Sequence, residues 1–269
     1  MYTGPLRAAI LDWAGTTVDY GCCAPAIVFM DVFKKHGVEI SVGEARGPMG
    51  AAKRDHIAQI AAMPRVAEAW KLAHGRASTG GDIDRMYADF IPMQVKCIKD
   101  YADIIPGTLE AIAAMRARGM KIGGTTGYSR EMMDELEPIA AKQGYAPDVS
   151  VTASDVSVGR PAPWMAVKCL MEMNVYPAEA TVKIGDTAPD IGEGLNGGMW
   201  TVAVAKTGNE VGLSLSEIDA MGPSELERRV TMARAKLADA GAHYVVDGIE
   251  EVASVIDRIN ERLAAGQKP

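Results

Sequence analysis

From residue 100 onwards, short apolar segments rich in β-branched residues alternate with longer segments whose apolar residues have helical spacing. The predicted strands are Met120–Thr126, Val149–Thr152, Thr181–Asp186, Trp200–Ala205 and His243–Asp247. The predicted helices are Thr108–Arg118, Arg130–Gln143, Pro163–Met173, Glu225–Ala240 and Ile249–Leu263. Such alternation is typical of a parallel sheet covered by helices on both faces, so we expect a doubly wound, Rossmann-like α/β core.

The N-terminal part of the chain has a different pattern. One apolar run, Ala8–Leu11, predicts a first strand, and residues 22–99 then contain no convincing β-branched run. Helical spacing instead predicts helices over Ala24–Lys35, Ala51–Met63 and Asp82–Lys99. We therefore expect residues 1–20 and 100–269 to form the α/β core and residues 21–99 an inserted helical cap domain.

Between these segments, some stretches favour irregular structure. Gly37 follows a basic helix end and is predicted as a C-cap, and the stretch Arg46–Gly50 is predicted as a loop that leads into the next helix. The stretch Gly208–Pro223 is also predicted to be a loop, and Ala264–Pro269 a frayed tail. Loops that precede helices are favoured positions for binding residues.

Composition excludes some classes of partner. The 269 residues include 35 acidic and 28 basic side chains, a net charge of -7 that argues against a nucleic-acid partner. The 4 cysteines have neither metal-ligand spacing nor the density of a disulfide scaffold. No signal-peptide stretch precedes Asp12, and no apolar run approaches the ~20 residues that span a bilayer, so we expect a cytoplasmic protein without a membrane partner.

Carboxylates follow two of the predicted strands. Asp12 comes directly after Ala8–Leu11, and Asp186 and Asp190 follow the strand that begins at Thr181. Ligands bind beyond the carboxyl ends of the strands in an open parallel sheet, so these side chains are expected near one another. Oxygen ligands suit Mg²⁺, and Asp186 is the preferred second ligand.

Other strand ends carry groups that suit a phosphoryl ligand. Thr126 and Gly127 precede a predicted helix, where a hydroxyl and backbone amides can hold phosphoryl oxygens. Arg160 precedes another predicted helix and has a planar fork suited to phosphate. Singly each signal is weak, but their order along the chain makes a site for a small anionic substrate the favoured interpretation.

The stretch Asp12-Trp13-Ala14-Gly15-Thr16-Thr17 resembles the first motif of the haloacid dehalogenase superfamily, D-x-D-G-T. The resemblance implies that Asp12 is the nucleophile toward phosphorus, that Thr126 and Arg160 contact the phosphoryl group, and that Mg²⁺ is bound. Ala14 replaces the second Asp, and the longer string around it is similar to the phosphonatase branch, whose members hydrolyse phosphonoacetaldehyde. The backbone carbonyl of Ala14 can still bind the metal.

The absence of a carboxylate at Ala14 is informative about the leaving group. An alkoxide would receive no proton from this position, so cleavage of ordinary phosphate esters is disfavoured. Cleavage of a carbon–phosphorus bond tolerates the change but needs an electron sink, which an imine with a lysine provides.

The candidate for that lysine is Lys53. The stretch Met49–His56 resembles the cap motif of phosphonatase, which implies that Lys53 forms the imine with its pKa shifted below ~10.4. His56 lies one helical turn further on, and its role is left open. The same resemblance places Cys22, Met49 and Tyr128 in the pocket wall and implies a homodimer formed through the cap.

Two alternatives remain open at this point. One is a phosphate-ester hydrolase or mutase of the same superfamily, which Ala14 disfavours. The other is a non-catalytic phospho-receiver module, since an acidic cluster with a Thr and a cation also describes a phospho-accepting switch. A receiver would have no use for the helical insert or for Lys53.

Overall fold

The computed structural model describes residues 2–269, which contain a single 6-stranded sheet in the order β3-β2-β1-β4-β5-β6. All pairings between these strands are parallel. The strands are β1 Ala8–Leu11, β2 Lys121–Thr126, β3 Val149–Thr152, β4 Thr181–Gly185, β5 Trp200–Val204 and β6 Tyr244–Val246. The predicted α/β class and all the predicted strands are confirmed.

The first strand lies at the centre of the sheet. Leu11 of β1 pairs with Gly124 of β2 on one side and with Ile184 of β4 on the other. The chain runs outward in opposite directions from this point, so the sheet has its topological switch at the end of β1, where ligands bind in folds of this type. Asp12 is the first residue beyond that end, and its backbone amide donates to the carbonyl of Ile184 at 2.9 Å.

Helices cover both faces of the sheet and fill the long connection between β1 and β2. That connection holds α1 Cys23–Lys35, α2 Val42–Arg46, α3 Lys53–Ala62, α4 Pro64–His74, α5 Gly80–Ile98 and α6 Thr108–Ala117. The later helices are α7 Arg130–Lys142, α8 Trp164–Glu172, α9 Ala188–Asn196, α10 Leu215–Ala220, α11 Pro223–Asp239 and α12 Val252–Ala264. The helical insertion is confirmed, and its division at residues 20 and 100 into a separate domain stays a prediction.

The helical insert packs through apolar and aromatic side chains. The rings of Phe29 in α1 and Phe90 in α5 have their centres 4.5 Å apart, and both side chains are fully buried. At the start of α1, the carboxylate of Asp19 accepts hydrogen bonds from the backbone amides of Cys23 and Ala24 at 2.9 and 3.0 Å. This carboxylate therefore caps the helix at the point where the chain leaves the sheet.

Several details differ from the prediction. The stretch Gly208–Pro223 is not wholly a loop, because Ser214 and Glu217 form a capping box that starts α10. Helices α2, α4 and α9 were not predicted. Arg160 lies in a turn before α8, as predicted. Within residues 2–269, no helix is long and apolar enough to cross a membrane.

Candidate active site

Three carboxylates converge at the switch point of the sheet. Asp12 follows β1, Asp186 follows β4 and Asp190 lies in the first turn of α9, and they present oxygen atoms within 4.8 Å of one another. All three are buried. Burial, together with the nearby charges of Asp12 and Asp190, raises the pKa of Asp186 well above its ordinary value. So many buried carboxylates in contact require positive charge between them.

The backbone around Asp186 is fitted closely to its side chain. Its Oδ2 accepts a hydrogen bond from the amide of Asn209 at 2.8 Å, and its Oδ1 accepts one from Thr16 Oγ1 at 3.3 Å. Gly15 has a φ of 89°, and a Cβ atom there would lie 2.3 Å from Asp186 Oδ2. Glycine is therefore required at position 15 by backbone conformation and by space.

Arg160 supplies part of the positive charge. Its guanidinium makes ion pairs with Asp12 Oδ1 at 2.8 Å through Nη2, with Asp190 Oδ1 at 2.9 Å through Nη1, and with Glu193 Oε2 at 2.9 Å through Nε. The Nη2 atom also donates to the carbonyl and the hydroxyl of Thr125, both at 2.8 Å. All three nitrogen atoms of the guanidinium are thus paired, and the group is fixed next to the proposed nucleophile Asp12.

Asp190 is already supplied with donors on both oxygens. Oδ1 accepts from Lys183 Nζ at 2.8 Å in addition to Arg160, and Oδ2 accepts from the hydroxyl of Thr187 at 2.5 Å. Burial alone would raise the pKa of Asp190, but Arg160 and Lys183 hold it below its ordinary value. Asp190 is therefore an ionised carboxylate whose oxygens are in use within the protein.

A small pocket lies above these charges. Most of the residues predicted for the site line it, from both the sheet and the helical insert. They are Asp12, Ala14, Cys22, Met49, Lys53, Thr126, Gly127, Tyr128 and Arg160, joined by the unpredicted Gly50 and Thr187. His56, Asp186 and Asp190 are not in the lining.

Lys53 is the cation that the helical insert brings to the pocket. It is the first residue of α3, is only 5% exposed, and its Nζ lies 5.0 Å from the centre of the Tyr128 ring and 5.7 Å from that of Phe29. Burial lowers the pKa of Lys53, and the opposing influence of Cys22 and Asp12 is smaller. A buried amine with a lowered pKa is suited to nucleophilic attack on a carbonyl.

The loops that hold Lys53 and the phosphoryl-binding candidates are in close contact. A Cβ atom on Gly127, which follows β2, would lie 2.6 Å from the carbonyl oxygen of Ala51. On the other side, a Cβ atom on Gly50 would lie 2.3 Å from the hydroxyl oxygen of Thr187. The two glycines let the helical insert approach the sheet closely enough to enclose the pocket.

The remaining candidates surround Lys53. His56 is fully buried, its Nε2 lies 2.8 Å from the carbonyl oxygen of Ala45, and its ring centre is 3.8 Å from that of Phe29. Burial and the neighbouring Lys53 lower the pKa of His56 well below its usual value, so this ring is neutral. Tyr128 donates its amide to Thr126 Oγ1 at 3.1 Å, which fixes the loop after β2.

The carboxylate group fits a divalent metal. Asp12 and Asp186 offer hard oxygen atoms, and these buried like charges lie close together, an arrangement that a cation stabilises. Ala14 lines the same pocket, although its methyl group contributes no ligand. Asp12, Asp186 and Asp190 therefore form a group that could hold a metal, in which the oxygens of Asp190 are the least free.

Comparison with known proteins identifies the family. Residues 6–198 match the haloacid dehalogenase-like hydrolases. The chain is 49% identical, over all of its length and 96% of the relative, to a phosphonoacetaldehyde hydrolase of Nitratidesulfovibrio vulgaris, and 48% identical to one of Bacillus cereus, covering 96% of this chain and 97% of the relative. The chain belongs to the phosphonoacetaldehyde hydrolase family.

A solved structure supports the same placement within the phosphonoacetaldehyde hydrolase family. A phosphonoacetaldehyde hydrolase like protein from Oleispira antarctica is 43% identical and superimposes with a TM-score of 0.98, over 100% of this chain and 98% of that one. The fold of this chain is thus shared over its full length with that protein.

Four residues of the site were missed by the sequence analysis. Thr187 lies between two predicted carboxylates. The capping-box pattern that it forms with Asp190 is visible in the sequence and could have identified it. Gly50 looked like an ordinary loop glycine. Lys183 and Glu193 were overlooked because nothing in a strand lysine or a helix glutamate indicates complete burial, which both have.

Proposed function

We propose that the protein hydrolyses phosphonoacetaldehyde to acetaldehyde and phosphate. The observation that carries the proposal is the presence of a buried lysine with a lowered pKa in the same pocket as Asp12 and Arg160. Full-length relatives at 46 to 49% identity bear the name phosphonoacetaldehyde hydrolase. An amine, a carboxylate nucleophile and an anion-binding cation are the groups that this reaction needs.

Lys53 performs the first chemical step. The neutral amine adds to the aldehyde carbon, one proton is taken up and water leaves, which gives a protonated imine. The imine withdraws electrons from the carbon that carries phosphorus, so that the carbon can depart with the bonding pair. Burial supports this step because it lowers the pKa of Lys53 and increases the fraction of neutral amine.

Asp12 accepts the phosphoryl group. One of its oxygens bonds to phosphorus, the carbon–phosphorus bond breaks, and its electron pair forms the enamine on Lys53. Arg160 and the loop at Thr126 and Gly127 hold the phosphoryl oxygens during transfer. No alkoxide forms, so the alanine at position 14 removes no proton donor that the reaction requires.

Hydrolysis completes the cycle. Water cleaves the aspartyl-phosphate, which releases phosphate and restores Asp12. The enamine takes up a proton on carbon, and a second water hydrolyses the imine, releases acetaldehyde and frees Lys53. Because imine formation expelled one water, the balance is one phosphonoacetaldehyde and one water converted to acetaldehyde and phosphate.

We also propose that Mg²⁺ is bound by Asp12, Asp186 and the carbonyl of Ala14, with Asp190 in support. When bound, the ion would neutralise the carboxylates and the incoming phosphonate. The proposed cap, residues 21–99, excludes bulk water when closed.

The protein is further proposed to act in the cytoplasm as a homodimer. Light scattering of the purified protein tests whether it is a dimer.

Borohydride trapping tests the proposed function. The protein is incubated with phosphonoacetaldehyde, treated with borohydride and digested, and the adduct is mapped by mass spectrometry. We expect a reduced adduct on Lys53 together with release of phosphate in untreated samples. Turnover without any lysine adduct, or an adduct on another lysine, would contradict the imine mechanism.

A further inference from the structure

Glu193 lies behind Arg160, on the side away from the pocket lining. It belongs to α9, one turn after Asp190, and is fully buried. Its Oε2 atom accepts from Arg160 Nε at 2.9 Å and from the hydroxyl of Thr125 at 3.0 Å. Lys183 Nζ is 3.4 Å from the same oxygen.

The hydrogen bonds of Arg160 show what Glu193 contributes. The two terminal nitrogens of the guanidinium point to Asp12, Asp190 and Thr125, whereas Nε is paired with Glu193. A guanidinium is planar, so fixing Nε fixes the direction in which both terminal nitrogens point. Thr125 strengthens the arrangement because its hydroxyl accepts from Arg160 and donates to Glu193.

We propose that Glu193 is a positioning residue that aligns Arg160 with the phosphoryl group on Asp12. The inference rests on the proposed function, since it assumes that Arg160 binds the transferred group. Glu193 does not line the pocket and touches no reacting atom, so its effect on turnover passes through the guanidinium. Catalysis is sensitive to such alignment, because misplacement by about 1 Å can cost on the order of 100-fold in rate.

The second oxygen of Glu193 makes the proposal testable by a small change. Oε1 has no hydrogen-bond partner among residues 2–269, while Oε2 makes all of the contacts. Glu193→Gln can therefore keep an acceptor oxygen toward Arg160 and place its amide group where Oε1 now lies. If geometry is what matters, this conservative variant retains function.

Removal of the acceptor requires a variant that still folds. Glu193→Met alone would leave Lys183 without one of its partners, and a buried unpaired charge is strongly destabilising. The double variant Lys183→Met/Glu193→Met removes one charge of each sign and keeps similar volume. Because Lys183 Nζ also donates to Asp190 Oδ1 at 2.8 Å, Lys183→Met is measured beside it, and the effect assigned to Glu193 is the loss beyond that of Lys183→Met alone. The exposed pair Lys168 and Glu172 in α8, 2.8 Å apart, provides the matched control Lys168→Met/Glu172→Met.

The experiment compares kcat, KM, the Kd for inorganic phosphate and the melting temperature of these variants. We expect Glu193→Gln to stay within about fivefold of wild type in kcat. Lys183→Met/Glu193→Met should lose about 100-fold in kcat, bind phosphate more weakly, and still give the borohydride adduct on Lys53. The control pair should match wild type throughout.

A double-mutant cycle that combines Arg160→Lys with Lys183→Met/Glu193→Met tests whether Glu193 acts through Arg160. If it does, adding Lys183→Met/Glu193→Met to Arg160→Lys causes little further loss, because the positioned group is already gone. Fully additive losses, or wild-type kcat in a folded Lys183→Met/Glu193→Met protein, would overturn the proposal. Absence of turnover and of adduct in the wild-type protein would instead refute the proposed function. In that case the Kd for inorganic phosphate would still show whether Glu193 aligns Arg160.

Discussion

The Nζ atom of Lys53 lies 5.0 Å from the centre of the Tyr128 ring, although the two residues come from different parts of the fold. Lys53 begins α3 in the helical insert, and Tyr128 belongs to the loop after β2. The lysine is therefore buried by the sheet as well as by its own helices. Its lowered pKa depends on the insert and the sheet being together, which couples closure of the pocket to the reactivity of the amine.

Lys53→Arg should abolish turnover without unfolding the protein. Arginine keeps the positive charge but cannot form an imine, so we expect a loss of at least about 1,000-fold in kcat and no borohydride adduct. In the wild type, adduct formation should increase with pH through a midpoint below 10.5, because only the neutral amine reacts. Lys71→Arg, at an exposed position in α4, is the control. A Lys53→Arg protein with normal turnover would exclude the imine.

Removal of divalent metal should abolish activity reversibly. Chelation would leave Asp186 without a cation and Asp12 with Arg160 alone, and Mg²⁺ should restore turnover and raise the melting temperature. Asp186→Ala should lower activity by at least about 100-fold and remove the stabilisation by Mg²⁺. The control is Asp84→Ala, whose carboxylate is exposed and paired with Arg54. Full activity after exhaustive chelation would remove the metal from the mechanism.

Ala14→Asp should harm cleavage of the carbon–phosphorus bond. A further carboxylate in the pocket adds negative charge near Asp12 and the incoming phosphonate, an effect that grows where water is excluded. We expect phosphonoacetaldehyde turnover to fall by about 10-fold or more, which corresponds to about 1.4 kcal/mol, while weak activity on simple phosphate esters rises. The measurement is the ratio of the two activities, with Ala14→Ser as the neutral control. A wild type that already cleaves both equally well would show that Ala14 does not determine the substrate class.

Gly127→Ala should interfere with closure of the pocket. The added methyl group would lie 2.6 Å from the carbonyl oxygen of Ala51, so the loop before α3 must move away from β2. We expect at least about 10-fold lower kcat/KM, because small displacements of reacting groups have large effects on rate. Gly80→Ala is the control, since a Cβ atom at the start of α5 has no neighbour within 4 Å. Equal kinetics for the two variants would mean that this contact does not enclose the site.

The pH dependence of stability should contain a contribution from Asp19. Burial raises the pKa of this carboxyl to about 7, against the opposing hydrogen bonds from Cys23 and Ala24. A raised pKa means that the folded state disfavours the ionised form, so the stability that Asp19 contributes at low pH is lost as pH rises from about 4 to about 7. Asp19→Asn has no such titration. Its free energy of unfolding relative to wild type should therefore increase over this range by on the order of a few kcal/mol, and its melting temperature should rise with it. A constant difference would show that Asp19 is not buried in this way.

The strands were predictable because burial in a parallel sheet leaves a direct trace in the sequence. The run Trp200–Val204, for example, is buried throughout and is apolar except for Thr201. The missed helices lack the corresponding signal. In α4 only Val66 and Trp70 are buried, and α9 contains Gly192 and Gly194, which are poor helix formers.

A local signal for several of these helices was nevertheless present. Capping boxes start α2 at Ser41 and Glu44, α9 at Thr187 and Asp190, and α10 at Ser214 and Glu217. Each is a hydroxyl residue followed three positions later by an acidic one, which marks a helix start even where the apolar spacing is weak. Such a rule would have placed α9 and corrected the prediction of a loop over Gly208–Pro223.

The site could be predicted only where chemistry shows in the residue type. Asp12 and Arg160 could be predicted because several such groups follow one another along the chain in the order of a known motif set, although each signal alone is weak. Glu193 and Lys183 do not stand out, because charged residues are common in helices and strands and are rarely fully buried. Their importance depends on tertiary contacts between β4, α9 and the turn before α8, which no local pattern records.

The central position of β1 has a consequence for how the chain is made. This strand leaves the ribosome before both of its partners, which begin at Lys121 and Thr181. At about 10 residues per second, β1 waits on the order of ten seconds for its first neighbour. Most helices of the insert are made in that interval. Synthesis therefore completes the segment that carries Lys53 before Asp12 acquires either of its neighbouring strands.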